Sequence, residues 1–284
     1  MRCKAVFPAA LAALLITNSG YADKFIDEQL VFPKDDIDLL SVCIDFAAGD
    51  IRIGVHETDH IAVIDVEYNA RTTKVAAEYE NDDRIGYLDL SSKQRRKSEI
   101  NTEDNLWDVT LSTRYVAEFD LDLGACQADL DLGGIPTEMF NLDIGAAKGT
   151  LTFSKPNPIS AEKINIDAGA ASFDLEQLGN ANFSRFEFGG GLGKFVLDFS
   201  GKYTAKSRAK ISIGMGKAVI HIPASLPVRI ETNDNFLSSV DFKNADHQSL
   251  DGDYYETEDF HSSDYGLDVS IDVGMGSIEI IFDE

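Results

Sequence analysis

One pattern recurs along this chain and restricts its fold more than any other feature. Alternating apolar residues lead to a corner of small residues, and alternating apolar residues follow again. The copies read CIDFAAGDIRIGV (43–55), DLDLGACQADLDL (120–132), NLDIGAAKGTLTF (141–153), NIDAGAASFDLEQ (165–177), EFGGGLGKFVLDF (187–199), KISIGMGKAVIHI (210–222) and SIDVGMGSIEIIF (270–282). Aligned on the first corner residue they stack Ala47, Gly124, Gly145, Gly169, Gly191, Gly214 and Gly274, with spacings of 77, 21, 24, 22, 23 and 60 residues. The four consecutive steps near 22 residues define a coil, and the two long steps read as one coil plus an insertion.

Two columns carry the core. Three residues before the corner stand Ile44, Leu121, Leu142, Ile166, Phe188, Ile211 and Ile271; six after it stand Ile53, Leu130, Leu151, Leu175, Leu197, Ile220 and Ile280. Every member is large and apolar, and its chain neighbours are mostly polar or small, the period-two mark of a strand with one buried face. One short coil cannot bury its apolar face alone, whereas coils piled about 4.8 Å apart bury each column continuously. The expected fold is therefore all-β, a single β-solenoid of coils of about 22 residues with two inserted loops. A β-sandwich is the rival, and the tight period and matching columns favour the solenoid. The repeat core covers about 117–230 and 266–284, with the first copy at 43–55 and insertions at about 56–118 and 231–265. The first insertion holds strand-like HIAVIDVEYNA and LWDVTLSTRYV around the charged, loop-like SSKQRRKSEINTEDN. Most of the second reads as loop, and the C-terminal copy reads as a bare end of the stack.

The first residues have the form of a signal peptide, at 1–22. Arg2 and Lys4 precede an apolar stretch from Ala5 to Ile16, and Gly20-Tyr21-Ala22 offers a small-residue cleavage site. The exported chain, 23–284, would form one domain with no later stretch long enough to span a membrane. The whole chain carries 25 Lys and Arg against 49 Asp and Glu, a net charge of −24. That excess speaks against nucleic acid and anionic lipid as partners. Cys43 and Cys126 survive cleavage and could pair in an oxidising compartment, although the repeat sets them at different positions in their coils.

The stretches LWDVTLS (106–112), AEFDLDLGACQADLDLGGIP (117–136), LDIGAAKGTLTFSKPNP (142–158), LGNANFSRFEFGGGLGKFVLDFSG (178–201), ISIGMGKAVIHIP (211–223) and LDVSIDVGMGSIEI (267–280) resemble the toast-rack, adhesin-like β-solenoid family. That family includes the C-terminal domains of cell-wall-active antibiotic response proteins. The resemblance implies a solenoid in the periplasm or on the envelope, and it brings no catalytic residues to transfer.

His56-Glu57-Thr58-Asp59-His60 fits the H-E-x-x-H pattern of zinc hydrolases, which needs a helix to set both histidines on one face. Here it falls between two strand-like runs, and a hairpin tip is expected. The run from Gly189 to Lys194 has the glycines of a phosphate loop, but it sits on the repeat corner with no helix signal after it. Of the other histidines, His221 falls on the polar face of a strand.

Two residues before the corner, Asp122, Asp143 and Asp167 should form an outward ladder. Such a ladder is either a solvated acidic face or a seat for a cation, and calcium suits it as a hard ion that takes oxygen ligands. Tyr254, Tyr255, Phe260 and Tyr265 group aromatics with acids in the second insertion, the composition of a carbohydrate or protein contact surface, or of a self-packed loop.

These features lead to an exported, non-enzymatic envelope protein of the periplasm or cell surface. It would act as an adhesin-like or protein-interaction module, with an envelope protein, a glycan or a second copy as partner. The alternative is a polysaccharide-acting β-helix enzyme, which the acidic surface disfavours because such substrates are themselves anionic.

Overall fold

The computed structural model describes residues 14–17, 25–56, 59–95, 105–233, 237–245, 250–251 and 253–284. Seventeen strands form among them: β1 (Leu14–Thr17), β2 (Phe25–Phe32), β3 (Leu39–His56), β4 (Ala62–Asn69), β5 (Thr73–Asp82), β6 (Ile85–Gln94), β7 (Asn105–Ser112), β8 (Val116–Asp131), β9 (Thr137–Thr152), β10 (Ala161–Glu176), β11 (Phe183–Asp198), β12 (Lys206–Pro223), β13 (Val228–Asn233), β14 (Ser238–Lys243), β15 (Leu250–Asp251), β16 (Tyr254–Glu256) and β17 (Gly266–Asp283). One short 3-10 turn, Leu178–Ala181, is the helical piece among them.

The seven long strands β3, β8, β9, β10, β11, β12 and β17 lie parallel, in that spatial order. Their registers join Ile44, Leu121, Leu142, Ile166, Phe188, Ile211 and Ile271 rung by rung, and likewise Ile53, Leu130, Leu151, Leu175, Leu197, Ile220 and Ile280. All fourteen are at most 2% exposed. Each long strand is thus one coil, bent at its small-residue corner, and the solenoid follows from the two columns.

The corner glycines answer to the neighbouring coil more than to the bend itself. A Cβ on Gly124 would stand 2.2 Å from the Ala47 carbonyl oxygen, and one on Gly191 would stand 2.4 Å from that of Gly169. Stacked corners bring backbone against backbone, so a side chain there collides with the coil beneath it. Two residues further on, Gly216 and Gly276 adopt φ of 143° and 148°, which L side chains rarely reach.

Between coils, the return loops are tied by buried asparagines. Asn157 donates from Nδ2 to the carbonyls of Thr137 and Ala181 (2.8 and 3.1 Å) and accepts at Oδ1 from the amides of Thr137 and Ile159. One coil on, Asn180 donates to the Phe153 carbonyl at 2.9 Å and accepts from the Lys202 amide at 3.0 Å. These side chains satisfy loop backbone that has no strand partner.

The insertions are structured, which corrects their expected loop character. Residues of the first build an eighth coil in two pieces: β6 runs parallel to the first half of β3, and β7 to its second half. The core columns continue into it, Leu90 opposite Ile44 and Val109 opposite Ile53. Between the pieces, the charged stretch 96–104 lies outside the described residues. Antiparallel strands then close this end: β5 on β6, β4 on β7, β2 on β4 and β1 on β2. The Asp35 carboxylate fastens the cap by accepting from Tyr79 (3.0 Å) and Asn81 (2.9 Å), and these bonds, Asn81 first, hold its pKa below the ordinary value.

The far end repeats the arrangement. β13 pairs with the first half of β17 and β14 with its second half, so β17 lies inside the stack, and the C-terminal copy is not a bare end. Thr232 and Phe242 extend the two columns, β16 adds antiparallel to β13, and β15 adds antiparallel to β16. Tyr255 fills this cap, stacked on Phe242 and packed against Phe282 with ring centres 4.7 Å apart.

The two cysteines do not pair. Register sets Cys126 opposite Gly49, six residues along the coil from Cys43. Cys126 is a free buried thiol whose pKa burial pushes up to about 11.

Candidate interaction surface

The outward residues of the first half of each coil form a continuous face. Two residues before the corner, the registers align Asp45, Asp122, Asp143, Asp167, Gly189, Ser212 and Asp272, so the expected aspartate ladder exists. Four before it stand Asp120, Asn141, Asn165, Glu187 and Lys210; six before it stand Glu118, Met139, Lys163, Arg185 and Arg208. Charge therefore changes sign across the stack. β8 shows Glu118, Asp120 and Asp122, whereas β12 shows Arg208, Lys210 and Ser212. Residues 184–230 as a whole hold eight Lys or Arg against two Asp or Glu.

A shallow open groove of about 540 Å³ follows the ladder from Asp122 on β8 to Ser212 and Gly214 on β12. Its floor is the backbone of Gly145, Gly169 and Gly191, where missing side chains leave the space. One residue past these glycines, Leu192, Met215 and Met275 stand in register on β11, β12 and β17 and are 55%, 46% and 44% exposed. The same position on β8, β9 and β10 is Ala125, Ala146 and Ala170.

Burial, and after it the crowding of like charge, raises the carboxylate pKa values at the acidic end. Burial and then Asp167, Asp122 and Asp120 raise that of Asp143. Burial comes first at Asp120 too, with Asp122 adding to it, and burial followed by Glu138 raises that of Glu118. Glu118 also has a buried carboxylate oxygen, Oε2, with no hydrogen-bond partner. The ladder brings Asp122, Asp143 and Asp167 together, yet among the described residues no group of three or more His, Cys, Asp or Glu is arranged to hold a metal ion. The next rungs, Gly189 and Ser212, supply no carboxylate.

Residues 21–176 match the family model of the N-terminal domain of toast_rack, more than half of the chain. The chain belongs to the toast_rack family. The toast_rack match covers the cap, the split coil and the coils through β10, and it ends before the face turns basic. Among solved structures, a candidate cell adhesion protein from Clostridium sporogenes is 19% identical, with 92% of this chain and all of that chain covered and a TM-score of 0.47. A candidate adhesin from Bacteroides fragilis is 11% identical, over 91% of this chain and 98% of that one, with a TM-score of 0.41. No curated protein matches this toast_rack chain.

Other residues singled out in the sequence fall elsewhere. His56 ends β3, and Asp59 and His60 follow in a bend where Arg114 pairs with Asp59 at 2.7 Å, so no helix carries the H-E-x-x-H spacing. The Gly189–Lys194 run lies within β11, and Gly190 faces inward, where a Cβ would strike the Phe195 ring. His221 is on the outward side and its Nδ1 lies 2.9 Å from an Asp283 oxygen. The four aromatics do not share a surface, contrary to expectation. Tyr255 and Phe260 are buried at 4% and 5% exposure, and Phe260 packs beneath Arg229 and Lys206. Tyr254 and Tyr265 stay exposed. Strand alternation sends Tyr254 and Tyr255 to opposite sides, a split that composition does not reveal. Sequence reasoning also passed over the basic columns and the Leu192–Met215–Met275 ridge. Both were legible in the same alignment, one column from positions already read.

Proposed function

We infer that this chain is an exported, non-enzymatic envelope protein that works as an adhesin-like or protein-interaction module in the periplasm or at the cell surface. The observation that carries this is the outward face itself: a broad surface on a stack of seven coils, acidic on β8 and basic on β12, with an open groove running between them. A binding surface of this kind uses complementary charge to choose its partner and set its register. Membership of the toast_rack family agrees with it, as does the signal-like segment at 1–22. Among the described residues no helix is long and apolar enough to cross a membrane.

Two measurements test the reading. N-terminal sequencing of the chain recovered from the envelope fraction should begin at Asp23, and a chain retained in the cytoplasm with Met1 would refute export. The purified chain, immobilised, should retain envelope material in a way that protease treatment of that material abolishes. Turnover of an acidic polysaccharide by the same preparation would overturn the non-enzymatic part.

A further inference from the structure

We propose that two copies of this chain pair through the outward face, related by a two-fold axis running along β10. The proposal goes beyond the envelope role and does not rest on it. The columns six and four residues before the corner are complementary between β8 and β12 about that line, although Asp45 falls on Asp272. Reversing the order of coils around β10 while keeping each column lays β12 over β8 and β11 over β9. Arg208 then meets Glu118, and Lys210 meets Asp120. Met215 then falls on Ala125, Leu192 on Ala146 and Met275 on Ala48. The groove runs from β8 to β12 and has β10 at its middle, so the two grooves lie over one another and each copy's ridge rests on the other's alanines.

What each side lacks by itself supports the match. Arg208 and Lys210 are exposed and have no ion pair among the described residues. Leu192, Met215 and Met275 form a contiguous apolar ridge on an otherwise charged chain, the kind of patch that marks an interaction site. Seven coils at about 4.8 Å and eight residues at about 3.3 Å give the face an area on the order of 800 Å². That is about what a stable interface takes from each partner. An axis of this kind makes every contact twice, as an isologous dimer requires.

Sedimentation equilibrium of the exported chain should give twice the chain mass. The double variant R208E/K210E and the double variant E118K/D120K should each dissociate, weakening the dimer by about 100-fold. Mixed together they should reassociate as a heterodimer, because each reversed pair then finds its opposite on both sides of the axis. Met215→Glu should also dissociate the dimer, with an unchanged thermal melt showing that the fold survives. A wild-type monomer at tens of micromolar would overturn the proposal, as would a dimer insensitive to the charge reversals, or double variants that stay apart when mixed.

Discussion

The coils from β8 to β10 and those from β11 to β17 share one interior and differ in their exteriors. Inside, Leu121, Leu142 and Ile166 continue into Phe188, Ile211 and Ile271 with no change of character. Outside, Glu118, Asp120 and Ala125 give way to Arg208, Lys210 and Met215. The inward columns are held to one chemistry because each side chain packs on its own copy above and below. The outward columns have water on one side and are free to diverge, so function is to be sought where neighbouring coils differ.

The widest gap between interior and exterior should appear in Leu142→Ala against Met215→Ala. Leu142 is fully buried, and its truncation should cost about 2–5 kcal/mol in chemical denaturation. Met215→Ala should cost less than about 0.5 kcal/mol under conditions where the chain is monomeric. Comparable losses at the two sites would erase the distinction.

A smaller contrast lies at the corners. A Cβ on Gly124 would come within 2.2 Å of the Ala47 carbonyl, whereas on Gly214 it would stand 3.0 Å from that of Gly191. Gly124→Ala should therefore destabilise by about 1–3 kcal/mol and Gly214→Ala by clearly less. The reverse order would mean that the acidic coils yield more readily than the basic ones.

The smallest effect concerns charge. The carboxyls of Asp143, Asp120 and Glu118 have raised pKa values in the folded chain. They weaken the fold while ionised, and this weakening is relieved as pH falls through their folded pKa values. The melting temperature should accordingly rise on acidification from neutrality toward the carboxylate range. It should fall only at lower pH, where Asp35, whose pKa is lowered, takes up a proton and loses its cap bonds. Asp143→Asn should raise stability by about 0.2 kcal/mol, since an exposed carboxylate is well screened, and should flatten the acid-side rise. Equal melts in millimolar calcium and in chelator are expected of a solvated ladder. A calcium-dependent rise that Asp143→Asn removes would put the cation back on it.

The interior was legible in the sequence because both columns repeat one residue class at one spacing. The registers match that alignment at every rung from Ile44 to Ile271. The terminal coils were hidden for a physical reason. Each is cut at its corner, so Leu90 and Val109 stand 19 residues apart in the chain where intact coils have nine between the two columns. The aspartate ladder was readable because it is outward, polar and in register. The fate of Tyr255 and Phe260 was not, because caps are built from single contacts, such as the ring of Phe282 or the guanidinium of Arg229, that no period announces.

The position of β17 between β12 and the pair β13 and β14 makes residues 266–283 the keystone of the stack. Nearly everything N-terminal to it can be synthesised and stacked, yet the terminal half-coils have nothing to lie against until residues 266–283 arrive and slide into the slot. Closure at that end is thus deferred until residues 266–283 have been made. A chain cut short before Gly266 would present two facing, unmated strand edges.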